Sequence, residues 1–187
     1  MMRLDLLFVP IFIAVGISSC FIQINTSGYE ALSAEDKAKV RLCAVPVDSL
    51  RADGNIYQIT ARQLEKYLER HADVIVYEYR SFCTGPDCVS PVVAEQVCRE
   101  RGYVFCLVAV TYDYLVNSEG VTCPRLVINM DAYGTDNYKK YSRSFFNELI
   151  GQPSEDVAGA FHYFHDGRYI CTYKSVYDIC LRNRGRL

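Results

Sequence analysis

Residues 74–101 read Val74-Ile-Val-Tyr-Glu-Tyr-Arg-Ser-Phe-Cys83-Thr-Gly-Pro-Asp-Cys88-Val-Ser-Pro-Val-Val-Ala-Glu-Gln-Val-Cys98-Arg-Glu-Arg101. The β-branched and aromatic run from Val74 to Tyr79 is the signature of a buried strand. Cys83 and Cys88 flank Gly85-Pro86, a turn dipeptide, so the two thiols lie close together on a loop. Ser90-Pro91 then supplies an N-cap and a proline in the first turn of a helix. If Asp87 caps instead, Cys88 falls inside that first turn. The order strand, cysteine pair, helix start has a chemical consequence. A helix N-terminus stabilises negative charge, and a thiol held there ionises more easily and attacks faster.

The flanking segments extend this pattern. Thr60 and Gln63 have capping-box spacing and Ile59 with Leu64 the spacing of a hydrophobic staple. Ala61, Leu64, Tyr67 and Leu68 then share one helical face, and His71 near the end reads as an exposed terminal residue. Gly102 stops the helix that follows the cysteines, and Tyr103–Tyr112 is a second buried strand, completing a strand–helix–strand unit expected to be parallel and right-handed. After a loop at 117–120, Val121-Thr-Cys-Pro-Arg-Leu-Val-Ile-Asn129 leads into a third strand. Asp136 can cap a helix over 137–150 with Tyr138, Tyr141, Phe145 and Leu149 in one stripe and Gly151 after it. Phe161–His165 and Arg168–Tyr173 around Asp166-Gly167 predict a hairpin, and Ser175 with Asp178 resembles the cap of a last helix reaching about Asn183. Upstream, Val40–Val47 is an edge strand, because Pro46 cannot donate to a ladder.

The chain has 187 residues, enough to bury one proper core, and half of them are hydrophobic. With 20 Lys+Arg against 22 Asp+Glu and no basic run among aromatics, nucleic acid is not an expected partner. At the N-terminus Arg3 precedes an apolar run from Leu6 to Ile17, too short for a bilayer span and right for a signal peptide. Ile17-Ser18-Ser19-Cys20 resembles the lipobox of bacterial lipoproteins. That resemblance implies cleavage after residue 19, lipidation of Cys20, membrane attachment through the lipid, and a place in the bacterial cell envelope facing periplasm or cell surface. An ordinary signal peptide cut nearby, or a buried first strand, is the competing reading. Export would allow disulfides to persist among the eight remaining cysteines. Cys98, Cys106 and Cys171 read as buried small hydrophobes, and the pairing of Cys43, Cys171 and Cys180 is open.

From about residue 55 the element order, taken with the cysteine pair, resembles the thioredoxin fold. Two segments carry it: residues 74–101, and Val121-Thr-Cys123-Pro124-Arg-Leu-Val, which is similar to the Val-Thr-Pro-Thr-Leu segment of thioredoxins. The resemblance implies an α/β domain with a central mixed β-sheet flanked by helices, over residues 51–187. Residues 1–19 are then the signal peptide and 20–50 a tether and N-terminal extension. It further implies that Cys83 attacks, Cys88 resolves, and Pro124 is cis and stands with Cys123 beside the pair, lining the groove for a partner polypeptide. Thioredoxins carry Trp-Cys-Gly-Pro-Cys; here four residues separate the cysteines, Phe82 replaces tryptophan, and the family's buried carboxylate has only Tyr77, with Glu78 on the opposite face, in its place.

Two functions follow as expectations. One is a thiol–disulfide oxidoreductase without a cofactor, acting on thiols or disulfides of envelope proteins through a mixed disulfide. The other is a non-catalytic envelope binding or scaffold module whose disulfides are structural. A metal site at Cys83, Cys88 and Cys123 lacks a fourth ligand, since His162 and His165, three apart on a strand, face opposite ways. Serine-hydrolase and phosphate-loop signatures are absent from the sequence.

Overall fold

The computed structural model describes residues 25–83, 85, 88–113, 120–153 and 160–180. The signal-peptide stretch, Cys20, Asp87, the loop at 117–119 and the end of the expected last helix lie outside them. Seven strands form one mixed sheet: β1 (Val40–Leu42), β2 (Ile56–Ile59), β3 (Asp73–Tyr79), β4 (Val104–Ala109), β5 (Arg125–Ile128), β6 (Phe161–His165) and β7 (Arg168–Tyr173), in the order β1-β2-β5-β4-β3-β6-β7. The first five strands of that order run parallel; β6 pairs antiparallel with β3, and β7 antiparallel with β6.

All seven residues of β3 are buried, as the unbroken apolar run requires of a strand covered on both faces. Val74 and Val76 point to one face, where α2 (Ala61–Leu68) contributes Leu64 and Leu68 and α4 (Tyr138–Ile150) contributes Tyr141, Phe145 and Phe146. Ile75, Tyr77 and Tyr79 point to the other, under α3 (Pro91–Glu100) with Ala94 and Cys98, and under the C-terminal Val176 and Ile179. The chemistry of the turns is as the sequence predicts. Thr60 and Gln63 close a capping box on α2. Asp166 (φ 47°) and Gly167 (φ 75°) make the hairpin turn, both left-handed as a two-residue turn demands.

Three expectations change. Residues 25–50 are no free tether. Thr26 bridges to Asn137, Tyr112 N–H donates to Ser27 O at 2.9 Å, and the Tyr29 and Tyr112 rings meet at 5.0 Å; the short α1 (Ala34–Lys37) and β1 follow. Tyr29, Leu32 and Val40 pack on the α3-side core, so burial of apolar side chains fixes this segment. Second, Ser175 caps only a single 3-10 turn, Val176–Asp178. Arg101 donates to the carbonyls of Val176 (3.2 Å), Tyr177 (2.9 Å) and Ile179, taking acceptors that a continuing helix would use.

The third concerns the strand after Pro124. The resemblance puts Cys123 and Pro124 beside the cysteine pair, but β5, the strand they lead into, pairs parallel with β2 and β4. Leu126, Val127 and Ile128 are buried throughout, which suits an interior strand covered on both faces. The antiparallel place beside β3 goes to β6, whose register runs from Asp73↔His165 to Tyr77↔Phe161.

Candidate functional site

The end of β3 delivers Arg80, Ser81 and Phe82 to the carboxyl edge of the sheet, and there Cys83 and Cys88 form a disulfide with Cα atoms 5.7 Å apart, a normal separation for such a bridge. Turn bonds from Cys83 N–H to Arg80 O and from Cys88 N–H to Gly85 O, both 3.0 Å, fold the loop back on itself. The Tyr77 hydroxyl reaches through the α3-side core to donate to Val89 O at 2.7 Å, tying the segment after Cys88 to the central strand. Burial holds that phenol well above its ordinary titration range, so it is a fixed donor.

The question of the helix cap resolves in favour of Ser90. Its Oγ accepts from Val93 N–H at 3.4 Å, and Pro91 is the first residue of α3. Cys88 therefore lies two residues ahead of the cap, outside the helix. What the Cys88 sulfur does receive is a backbone N–H, from Gly85 at 3.1 Å. Such a donor stabilises negative charge on the sulfur it addresses. A negative charge developing on the Cys88 sulfur would meet this donor. Both cysteines are half-buried and border a hollow of about 320 Å³ shared with Tyr77, Tyr79, Arg80 and Ser90.

Below the loop, on the α4 side of the sheet, sits a buried polar group that sequence reasoning only touched. Glu78 accepts from Arg80 Nη2 at 2.7 Å and Nε at 3.1 Å, and lies 3.4 Å from His162 Nε2. His162 Nδ1 is 2.8 Å from Thr172 Oγ1. The signal was available: a glutamate inside an unbroken apolar strand must find a cation or a donor. Arg80 lies two residues further along the same segment, whereas the approach of His162 depends on the β3–β6 register.

Cys123 and Pro124 are not brought to the cysteine pair. Pro124 is trans and leads β5, two strands from β3 with β4 between. Register places Leu126 level with Val108 and Glu78, so Cys123 lies toward the amino half of β3 while Cys83 follows its carboxyl end. The Cys123 thiol is hydrogen-bonded to the Leu107 backbone, and its pKa is pushed up to about 12, chiefly by burial and then by Glu95. Glu95 itself accepts from Thr122 N–H (2.8 Å), Thr122 Oγ (2.6 Å) and Arg99 (2.9 Å), which fastens this segment to α3. Among the other thiols, Cys98 is fully buried with its pKa raised to about 12 by desolvation, Cys106 is raised further, and Cys43 donates to Val45 O at 3.1 Å. Cys171 is half-buried and Cys180 exposed. Among the described residues, no three His, Cys, Asp or Glu side chains gather as metal ligands, and no helix is long and apolar enough to cross a membrane.

Against this geometry, the chain matches no protein-family model, no curated protein and no solved structure.

Proposed function

We propose that this protein is a thioredoxin-like thiol–disulfide oxidoreductase of the bacterial cell envelope, anchored by a lipid on Cys20 and acting on protein thiols or disulfides. The observation that carries the reading is the Cys83–Cys88 disulfide at the carboxyl end of the central strand, with the Gly85 N–H on the Cys88 sulfur. The parallel β3–α3–β4 unit with antiparallel β6 and β7 on its other side supports the likeness to thioredoxins; β5 and α4 are then an insertion between β4 and β6.

In the oxidising direction a partner thiolate attacks the Cys83 sulfur. A partner–Cys83 bond forms, the Cys83–Cys88 bond breaks, and the electron pair leaves on Cys88, where the Gly85 N–H receives the charge. A second partner thiolate then attacks its own sulfur in the mixed disulfide. The partner leaves oxidised by two electrons, Cys83 departs as thiolate, and the pair is reduced. The reverse sequence reduces a partner disulfide.

A second reading is favoured by a specific observation: Cys88 stands outside α3, so the helix dipole acts on it only from beyond the cap. On that reading the bridge pins the loop and the protein is a binding or scaffold module. Equilibration of the full chain in glutathione buffers, with differential alkylation of Cys83 and Cys88, separates the two. A midpoint between about −120 and −270 mV, where dedicated exchangers lie, is the expected result. A value below about −300 mV would make the bridge structural.

A further inference from the structure

Among the described residues six cysteines remain outside the Cys83–Cys88 bridge, and the fold sorts them. Cys43 follows β1 at one edge of the sheet, and Cys171 lies on β7 at the other. Six strand spacings, about 29 Å, separate those edges. Cys106 belongs to the core on the α4 side, and Cys98, on α3, is fully buried against the opposite face. Cys123 precedes β5, four spacings from β7. Cys171 and Cys180 stand apart from all of these. One is half-buried and the other exposed, so both can be reached from solvent.

The fold also brings these two to one place. Register sets Cys171 opposite Tyr163, and Tyr173 opposite Phe161. Directly opposed residues of antiparallel strands share a face of the sheet, and Tyr163 and Phe161 belong to the α3-side core. Cys171 therefore points to the α3 side. The chain turns at Ser175 and returns over that same face, where Val176 and Ile179 are buried in the core against which Tyr163 and Tyr173 pack. Arg101 holds the return by donating to the carbonyls of Val176, Tyr177 and Ile179. Cys180 is the next residue. The Tyr173 phenol connects the two ends: it is hydrogen-bonded to the Cys171 thiol and close enough to Cys180 to interact with it electrostatically. Two accessible thiols, nine residues apart in the chain, thus neighbour the same side chain.

We infer that Cys171 and Cys180 are a second oxidisable pair, closing a disulfide that ties the end of the chain to edge strand β7 and holds it against α3. The inference is independent of the exchange proposed for Cys83 and Cys88. A small disulfide, such as glutathione disulfide, supplies the oxidant. The Cys180 thiolate attacks one of its sulfurs, a Cys180–glutathione bond forms, the glutathione S–S bond breaks, and one glutathione leaves as thiolate. The Cys171 thiolate then attacks the Cys180 sulfur, the Cys171–Cys180 bond forms, and the second glutathione leaves. Two electrons and two protons pass from the protein thiols to the glutathione disulfide, which ends as two glutathione molecules.

The test treats the full chain with glutathione disulfide, blocks the remaining thiols and maps tryptic peptides without reductant. Trypsin cuts after Arg168, Lys174 and Arg182, so Cys171 and Cys180 fall in separate peptides, 169–174 and 175–182, neither of which contains Cys83 or Cys88. The expected product is these two peptides joined, with a half-time independent of protein concentration. Cys171→Ser should stop at the Cys180–glutathione adduct. Cys180→Ser changes an exposed position and leaves the Cys83–Cys88 bridge in place. In oxidising buffer wild type should melt about 5 °C or more above it, and the gap should close in reductant. A glutathione adduct on Cys180 as the end product in wild type, a peptide joining either cysteine to Cys98, a bridge formed only between two chains, or equal melting temperatures in oxidising buffer would overturn the inference.

Discussion

At the scale of single residues, the buried charges are the most exposed to test. Glu78 and Arg80 keep only 4% and 11% of their side-chain surface, so removing the carboxylate takes away the acceptor of two guanidinium N–H bonds in a low-dielectric setting. Glu78→Ala should cost about 3–5 kcal/mol in urea unfolding, and an effect below 1 kcal/mol would mean that Arg80 is satisfied without this carboxylate. His165 gives a pH signature at the opposite end of β3. Its Nδ1 lies 2.9 Å from Asp73, which chiefly, with Asp166, raises its pKa above the ordinary value. A raised folded-state pKa means that the contribution is complete below the unfolded pKa of about 6.5 and is lost as pH climbs through the folded one. Stability should therefore fall across that window in wild type, and the step should vanish in His165→Gln. A step of the same size in the variant would assign it to another group.

Among the elements, the hairpin turn and the α3 cap make opposite kinds of demand. Gly167 combines a left-handed φ of 75° with a Cβ position only 3.0 Å from Glu69 Cα. Gly167→Ala must both strain its backbone and push α2 away, a loss expected to exceed 1 kcal/mol. Gly54, with φ 85° and open space around it, carries the strain alone, and Gly54→Ala should cost less than Gly167→Ala in parallel denaturant titrations. At α3, Ser90→Ala removes the acceptor for Val93 N–H and should lower stability by about 1 kcal/mol. The cap was legible in the sequence because Ser-Pro before an apolar periodic run has few other uses. Its competition with Asp87 was not, since both side chains can accept from a first-turn N–H and only the path of the loop chooses between them.

For the whole molecule, the sheet order predicts a gradient of protection. β3 lies between β4 and β6 with every residue buried, whereas β1 is an edge strand with two exposed residues of three. Amides of β3 should exchange only through global unfolding and those of β1 much sooner; equal protection would contradict this topology. The same contrast marks what each level of information determined. The sequence by itself set the local elements: the buried run at Val74–Tyr79, the capping box at Thr60, the turn at Asp166-Gly167, and the closeness of Cys83 to Cys88. Each is a matter of residue type and near-neighbour spacing, which act within a few bonds. Tertiary structure alone decided that β5 enters between β2 and β4, that residues 25–50 join the body of the protein, and that Cys123-Pro124 lies two strands from the disulfide. It also brought Glu78 to His162. A strand as apolar as Leu126–Ile128 satisfies its own preferences equally well in any interior slot. Which slot it takes depends on how much surface the whole chain buries, and no short segment carries that information.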